Sequence, residues 1–121
     1  MHADEINDVV LDALESGEKD FILLNFANSD LVGHTGNLEA AVKAVEAVDR
    51  NIGRLMDKVE DTDYVMLVTS DHGNCEDMGV DEPNTSHTLN PVPLVGKNVE
   101  LDSDNQELWE VEQVIENILD L

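Results

Sequence analysis

The chain has 121 residues, 41% of them hydrophobic, which suits one folded domain with a modest core and argues against disorder. Its formal net charge of −22 sets it against nucleic acid and anionic membrane surfaces, and implies a self-repulsion that salt relieves. No apolar run approaches the ~20 residues of a membrane helix. The first residues have neither the basic nor the apolar segment of a signal peptide. The single cysteine, Cys75, excludes an intrachain disulfide, and a cytoplasmic location is the expectation.

Residues 4–15 carry Ile6, Val9, Val10, Ala13 and Leu14 at helical spacing, with an acidic first turn that suits the positive end of a helix dipole. Ser16-Gly17 is the expected stop. Residues 21–26, Phe-Ile-Leu-Leu-Asn-Phe, read as a buried strand. A polar, glycine-bearing loop over 27–37 follows. Residues 38–59 are the longest predicted helix, with Leu38, Ala41, Val42, Val45, Val48, Ile52, Leu55, Met56 and Val59 on one face. Asn37 is its candidate N-cap, Glu46 and Arg50 are placed to pair at i, i+4, and Gly53 suggests close packing against a neighbour.

Residues 64–69 are a second buried strand that ends abruptly in Asp71-His72-Gly73-Asn74. A long loop over 75–88 leads to Pro91-Val92-Pro93, and the prolines argue against a bonded strand beginning before Leu94. Residues 105–121 form a last predicted helix, with Leu108, Val111, Val114, Ile115, Ile118 and Leu119 on one face. The expected fold is α/β, a partial doubly wound, mostly parallel sheet flanked by helices. The first strands of such a sheet are missing, so residues 1–121 are expected to be part of a larger fold.

Ligands of such sheets bind outside the carboxyl ends of the strands. Two Asp/His pairs are expected there: Asp30 with His34, and Asp71 with His72. At i, i+4 on a helical turn, Asp30 and His34 share a face and can grip one ion. Asp71 and His72 are adjacent and normally point apart, so they could share an ion only at an irregular turn, which Gly73 permits. His87, in the loop before Pro91, is a fifth candidate. Mixed carboxylate and imidazole ligands suit Zn, Mn or Fe rather than Ca. Each residue also has a plainer reading: Asp30 as a turn or cap residue, His34 on a backbone carbonyl, His87 as an ordinary loop histidine. Together they fit a two-metal phosphoryl-transfer site. His2 is expected to be solvent-exposed. Cys75 is a poor nucleophile, because Glu76 and Asp77 would raise its pKa. Ser70 and Ser86 lack a glycine-flanked nucleophile turn. The six Lys and Arg all lie away from Asp71 and His72 in sequence, so a cationic phosphate clamp is expected elsewhere.

Three blocks carry a resemblance. They are Asn25-Phe26-Ala27-Asn28-Ser29-Asp30-Leu31-Val32-Gly33-His34-Thr35-Gly36-Asn37-Leu38-Glu39-Ala40-Ala41, Thr69-Ser70-Asp71-His72-Gly73-Asn74 and His87-Thr88-Leu89-Asn90-Pro91-Val92-Pro93. The chain resembles the cofactor-independent (2,3-bisphosphoglycerate-independent) phosphoglycerate mutases of the alkaline phosphatase superfamily. Asp-His-Gly is common to that wider superfamily, while the first and last blocks are more specific. The resemblance implies that residues 1–121 are the C-terminal part of a phosphatase domain with two manganese ions; the affinity order of divalent metals makes zinc the expected substitute. Asp30, His34 and His87 would hold one ion. Asp71 and His72 would hold the other, with an aspartate and a nucleophilic serine that have no counterpart here. The implied reaction is glycolytic, an isomerisation of 3-phosphoglycerate and 2-phosphoglycerate through a phosphoserine. The chain alone is therefore expected to be inactive. Alternatives are a related phosphopentomutase or phosphatase, and a truncated module that binds metal or a partner. A cut sheet also leads to the expectation of salt-dependent self-association.

Overall fold

The computed structural model describes residues 2–79, 81–101 and 107–120. Helix α1 spans Ala3–Ser16 and ends where Gly17 takes the left-handed conformation, φ 64°. That conformation is strained for any residue with a Cβ, which is why glycine stops the helix there. Helix α2 spans Asn28–Gly33 and helix α3 spans Leu38–Glu60. The Asn37 side chain caps α3 by accepting from the Ala40 N–H at 3.0 Å. The loop expected over 27–37 therefore contains a helical turn, and it is this turn that carries Asp30 and His34.

Helix α3 packs against both α1 and α2, and the buried apolar residues of these helices are Ala3, Ala41, Ala44, Leu55 and Val59. Three ion pairs flank the contact of α1 with α3: Arg50 with Asp4 at 3.4 Å, Arg54 with Asp8 at 2.6 Å and Lys58 with Glu15 at 3.2 Å. Partner numbers rise together, so the two helices run in the same direction. Arg50 thus reaches across to α1 instead of pairing with Glu46. Gly53 has open space where a Cβ would stand, so it packs against nothing.

Strand β1 (Met66–Thr69) pairs antiparallel with β2 (Leu94–Lys97), with Met66 opposite Lys97 and Thr69 opposite Leu94. Strand β2 begins past Pro91 and Pro93, as their missing N–H groups require. The doubly wound parallel sheet is not what the described residues form: they form helices and one small antiparallel pair. The reason is the connection. The connection, described over residues 70–79 and 81–93, returns to the end of β1 at which it left, where β2 starts, whereas a parallel partner needs a crossover to the opposite end. Residues 21–26 join no ladder among the described residues. Their side chains alternate between exposed and half-buried, the period of an extended segment, with Phe21 and Leu23 outward.

Asn98, at φ 60°, donates from Nδ2 to the carbonyls of Val59 and Tyr64, each at 2.9 Å, and so ties the end of β2 to the end of α3. The last predicted helix is present as a 3-10 turn, Leu108–Glu110, followed by helix α4, Val111–Ile118. Residues 105, 106 and 121 of that prediction lie outside the described residues. None of the side chains on the described part is buried, so its apolar face is only half covered. Among the described residues no helix is long and apolar enough to cross a membrane.

Candidate metal centre

Helix α2 sets the first two candidates one turn apart. Asp30 lies inside it, and His34 is its C-terminal cap. This i, i+4 spacing brings Asp30 Oδ1 to 3.1 Å from His34 Nε2. The other histidines arrive on the long loop. The Thr88 N–H donates to the Gly73 carbonyl at 2.9 Å, an isolated antiparallel bridge that joins the start of that loop to its end. His72 and His87 are immediate neighbours of the bridged residues, and their rings stack with centroids 3.6 Å apart at 15°. His87 Nε2 then lies 3.2 Å from Asp30 Oδ1 and 3.0 Å from His34 Nε2.

Asp30, His34 and His87 therefore converge as a triangle with sides of 3.0–3.2 Å. Bonds of about 2.0–2.2 Å from one ion place neighbouring ligand atoms about 3 Å apart. The protons also fit. His34 Nδ1 lies 2.7 Å from the Thr85 carbonyl oxygen. A carbonyl only accepts, so Nδ1 carries the proton and Nε2 of the neutral ring presents a lone pair. That lone pair faces a carboxylate oxygen, an arrangement that calls for positive charge between the two. A divalent cation supplies it while using all three groups.

His72 Nε2 is farther out, 3.9 Å from Asp30 Oδ1 and 3.7 Å from Asp71 Oδ1. The potential ligand atoms of Asp30, His72 and His87 all lie within 4.8 Å of one another. The structure thus brings three of the expected residues, His34, His72 and His87, to Asp30, whereas Asp71 is placed beside His72 with its side chain 84% exposed. His2 is exposed, and its ring lies 3.0 Å from the Glu5 carboxylate. Cys75 donates from Sγ to the Ser29 carbonyl at 3.0 Å, and burial, then Glu76, then Asp30 push its thiol pKa up. It is no nucleophile at neutral pH. Ser70 spends its hydroxyl on the His72 carbonyl at 2.8 Å. Five of the six basic residues pair with carboxylates of this chain, away from the triangle.

The sequence reading missed the residues that hold the ligands in place. Buried Asn74 donates from Nδ2 to Asp30 Oδ1 at 3.0 Å. Glu76 accepts from the Asn74 N–H at 2.6 Å, from Asn90 Nδ2 at 3.1 Å and from the Thr88 hydroxyl. Chiefly the Thr88 hydroxyl, with the Asn90 amide and backbone N–H groups, pulls the Glu76 carboxyl down to about 2. Asn74 sits in the Asp-His-Gly-Asn block and could have been suspected from that. Nothing in the spacing of Glu76, Thr88 and Asn90 announces their meeting.

The sequence profile of the metalloenzyme superfamily matches residues 1–119. The chain belongs to the metalloenzyme superfamily. A metal ion is therefore part of its chemistry, as the triangle of ligand atoms anticipates. Its curated relatives narrow the comparison. It is 50% identical over 96 residues to a 2,3-bisphosphoglycerate-independent phosphoglycerate mutase of Halobacterium salinarum, covering 78% of this chain and 19% of that protein. It is 51% identical over 98 residues to the enzyme of that name from Helicobacter hepaticus, covering 79% and 20%. It is 52% identical over 103 residues to that of Rhodopseudomonas palustris, covering 81% and 20%. The chain thus spans about a fifth of the length of these relatives.

Proposed function

We propose that residues 1–121 are the metal-binding, C-terminal part of the phosphatase domain of a cofactor-independent phosphoglycerate mutase, an isomerase of glycolysis acting on 3-phosphoglycerate and 2-phosphoglycerate in the cytoplasm. The observation that carries this reading is the triangle of Asp30 Oδ1, His34 Nε2 and His87 Nε2, with the His34 proton already committed to Thr85. The identities near 50% support the reaction class. Manganese is the proposed ion, with zinc as a substitute favoured by affinity.

Asp30, His34 and His87 would hold one ion, and Asp71 and His72 would contribute to a second. Bound there, divalent ions would polarise phosphoryl oxygens and neutralise charge developing in transfer. The chain's own residues act before that chemistry. Thr85 fixes the tautomer of His34, Asn74 aims the Asp30 carboxylate, and the loop junction at Gly73 and Thr88 sets His72 beside His87. The phosphoserine nucleophile and the basic groups that hold phosphoglycerate would be supplied by other parts of the whole enzyme. The remaining strands of a doubly wound, mostly parallel sheet would come from the same source.

Mutase turnover tests the proposal. The chain alone is expected to give none, and the whole enzyme should lose turnover when His34 or His87 becomes Ala. Full turnover in the His34→Ala, His87→Ala variant of the whole enzyme would overturn it. A second reading, a module that pairs with another chain, is favoured by one observation: Leu23 is 85% exposed on an extended segment that joins no ladder among the described residues. Self-association is its proposed form, with no nucleic acid or membrane partner, given the charge of −22.

A further inference from the structure

Glu76 stands outside the five candidate ligands, yet three donors converge on its carboxylate. Oε2 accepts from the Asn74 N–H at 2.6 Å. Oε1 accepts from Asn90 Nδ2 at 3.1 Å and from the Thr88 hydroxyl. Asn74 lies two residues past His72, and Thr88 is the residue after His87. One carboxylate thus ties together the two loop segments that bear histidines. A second branch runs from Asn74, whose N–H is held by Glu76 and whose buried side chain donates to Asp30 Oδ1 at 3.0 Å. Gly73 makes room for the junction, because a Cβ there would meet Thr88 Oγ1 and the Glu76 carboxylate.

We propose that Glu76 is a positioning residue of the metal centre, whose carboxylate sets His72, His87 and Asp30 relative to one another. An ionised carboxylate suits this task because it only accepts, at two oxygens, and its bonds to N–H and O–H donors are charge-assisted. Gln at the same position keeps the shape but turns an NH2 group toward one of the donors. Ala removes every bond. The inference rests on the reading that Asp30, His34 and His87 hold a divalent ion. Groups bonded to a metal ligand are typically worth about 10–100-fold in metal affinity, and Asn74, whose N–H Glu76 holds, is such a partner of Asp30.

The test compares the wild-type chain with Glu76→Gln, Glu76→Ala and a charge control, Glu46→Ala, at an exposed position of α3. Imidazole nitrogen and proton signals are recorded by NMR without metal, and each folded protein is then titrated with Mn²⁺ alone. Glu76→Ala should move the His72 and His87 ring signals and weaken Mn²⁺ binding about 10–100-fold. Glu76→Gln should do both to a lesser degree, and Glu46→Ala should do neither. If Glu76→Ala fails to fold, Glu76→Gln carries the test. Unmoved ring signals, or ring shifts equal to those of Glu46→Ala, would overturn the inference, as would unchanged affinity. If the wild-type chain binds no Mn²⁺, the proposed function fails, while the ring signals still decide the role of Glu76.

Discussion

Gly33 lies so close to Asn74 that a Cβ at position 33 would fall on the Asn74 side-chain amide and against Cys75 Sγ. Asn74 has little freedom to yield, being buried and bonded to Asp30. Gly33 is thus, with Asp30, a point at which helix α2 and the Asp-His-Gly-Asn turn touch. We predict that Gly33→Ala destabilises the chain by about 1–3 kcal/mol, the usual effect of overpacking. It should also weaken Mn²⁺ binding, because the displaced group is the one that aims Asp30. Urea unfolding and a metal titration of the same variant check both parts.

Gly53 gives the opposite prediction. It sits inside α3 with open space at its Cβ position. Gly53→Ala should therefore stabilise the chain by about 1 kcal/mol, through helix propensity alone. Metal affinity should not change. A loss of stability would mean that position 53 meets a neighbour after all.

Acid should release the loop junction through Glu76. Its folded pKa, about 2, lies below the ordinary 4.5, chiefly because of the Thr88 hydroxyl. A depressed carboxyl contributes its full stability above the ordinary value and loses it as pH falls from 4.5 toward 2. We predict that wild-type stability falls more steeply through that window than that of Glu76→Gln. Denaturant unfolding at a series of pH values from 6 to 2 measures the difference. Parallel curves for the two proteins would contradict the assignment.

Exposed apolar side chains bear on assembly. Phe21 and Leu23 are 56% and 85% exposed, and Leu38, Val42 and Val45 are exposed along α3. Such surface invites association, while a charge of −22 opposes it. The Debye length falls from roughly 30 Å at 0.01 M salt to roughly 3 Å at 1 M. We predict more dimer or higher oligomer as salt rises, measured by light scattering, with Leu23→Lys reducing it. A strict monomer at both ends of the salt series would contradict this.

Much of the helical frame was legible because its signal is local. The 3.6-residue periods of α1 and α3, the Asn37 cap and the Gly17 stop each need only a short window of sequence. The pairing of β1 was not legible, because an apolar run announces a strand without naming its partner or direction. Residues 21–26 look as apolar as β1 yet join no ladder among the described residues. At the site, Asp30, His34, Asp71, His72 and His87 could be suspected by residue type. The supports could not. Thr85 acts through a backbone carbonyl that every residue possesses. Glu76, read only as a charge beside Cys75, meets Thr88 and Asn90 through a fold-dependent contact.

The central claim is that Asp30, His34 and His87 together bind one divalent ion. The most direct measurement is calorimetric titration of the purified, metal-free chain with Mn²⁺, beside a His34→Ala, His87→Ala variant. The account predicts saturable binding by the wild-type chain that the double variant loses. A ligand present at 100 times its dissociation constant should also raise wild-type stability by about 2.7 kcal/mol. Equal binding by both proteins, or none by the wild type, would contradict the account.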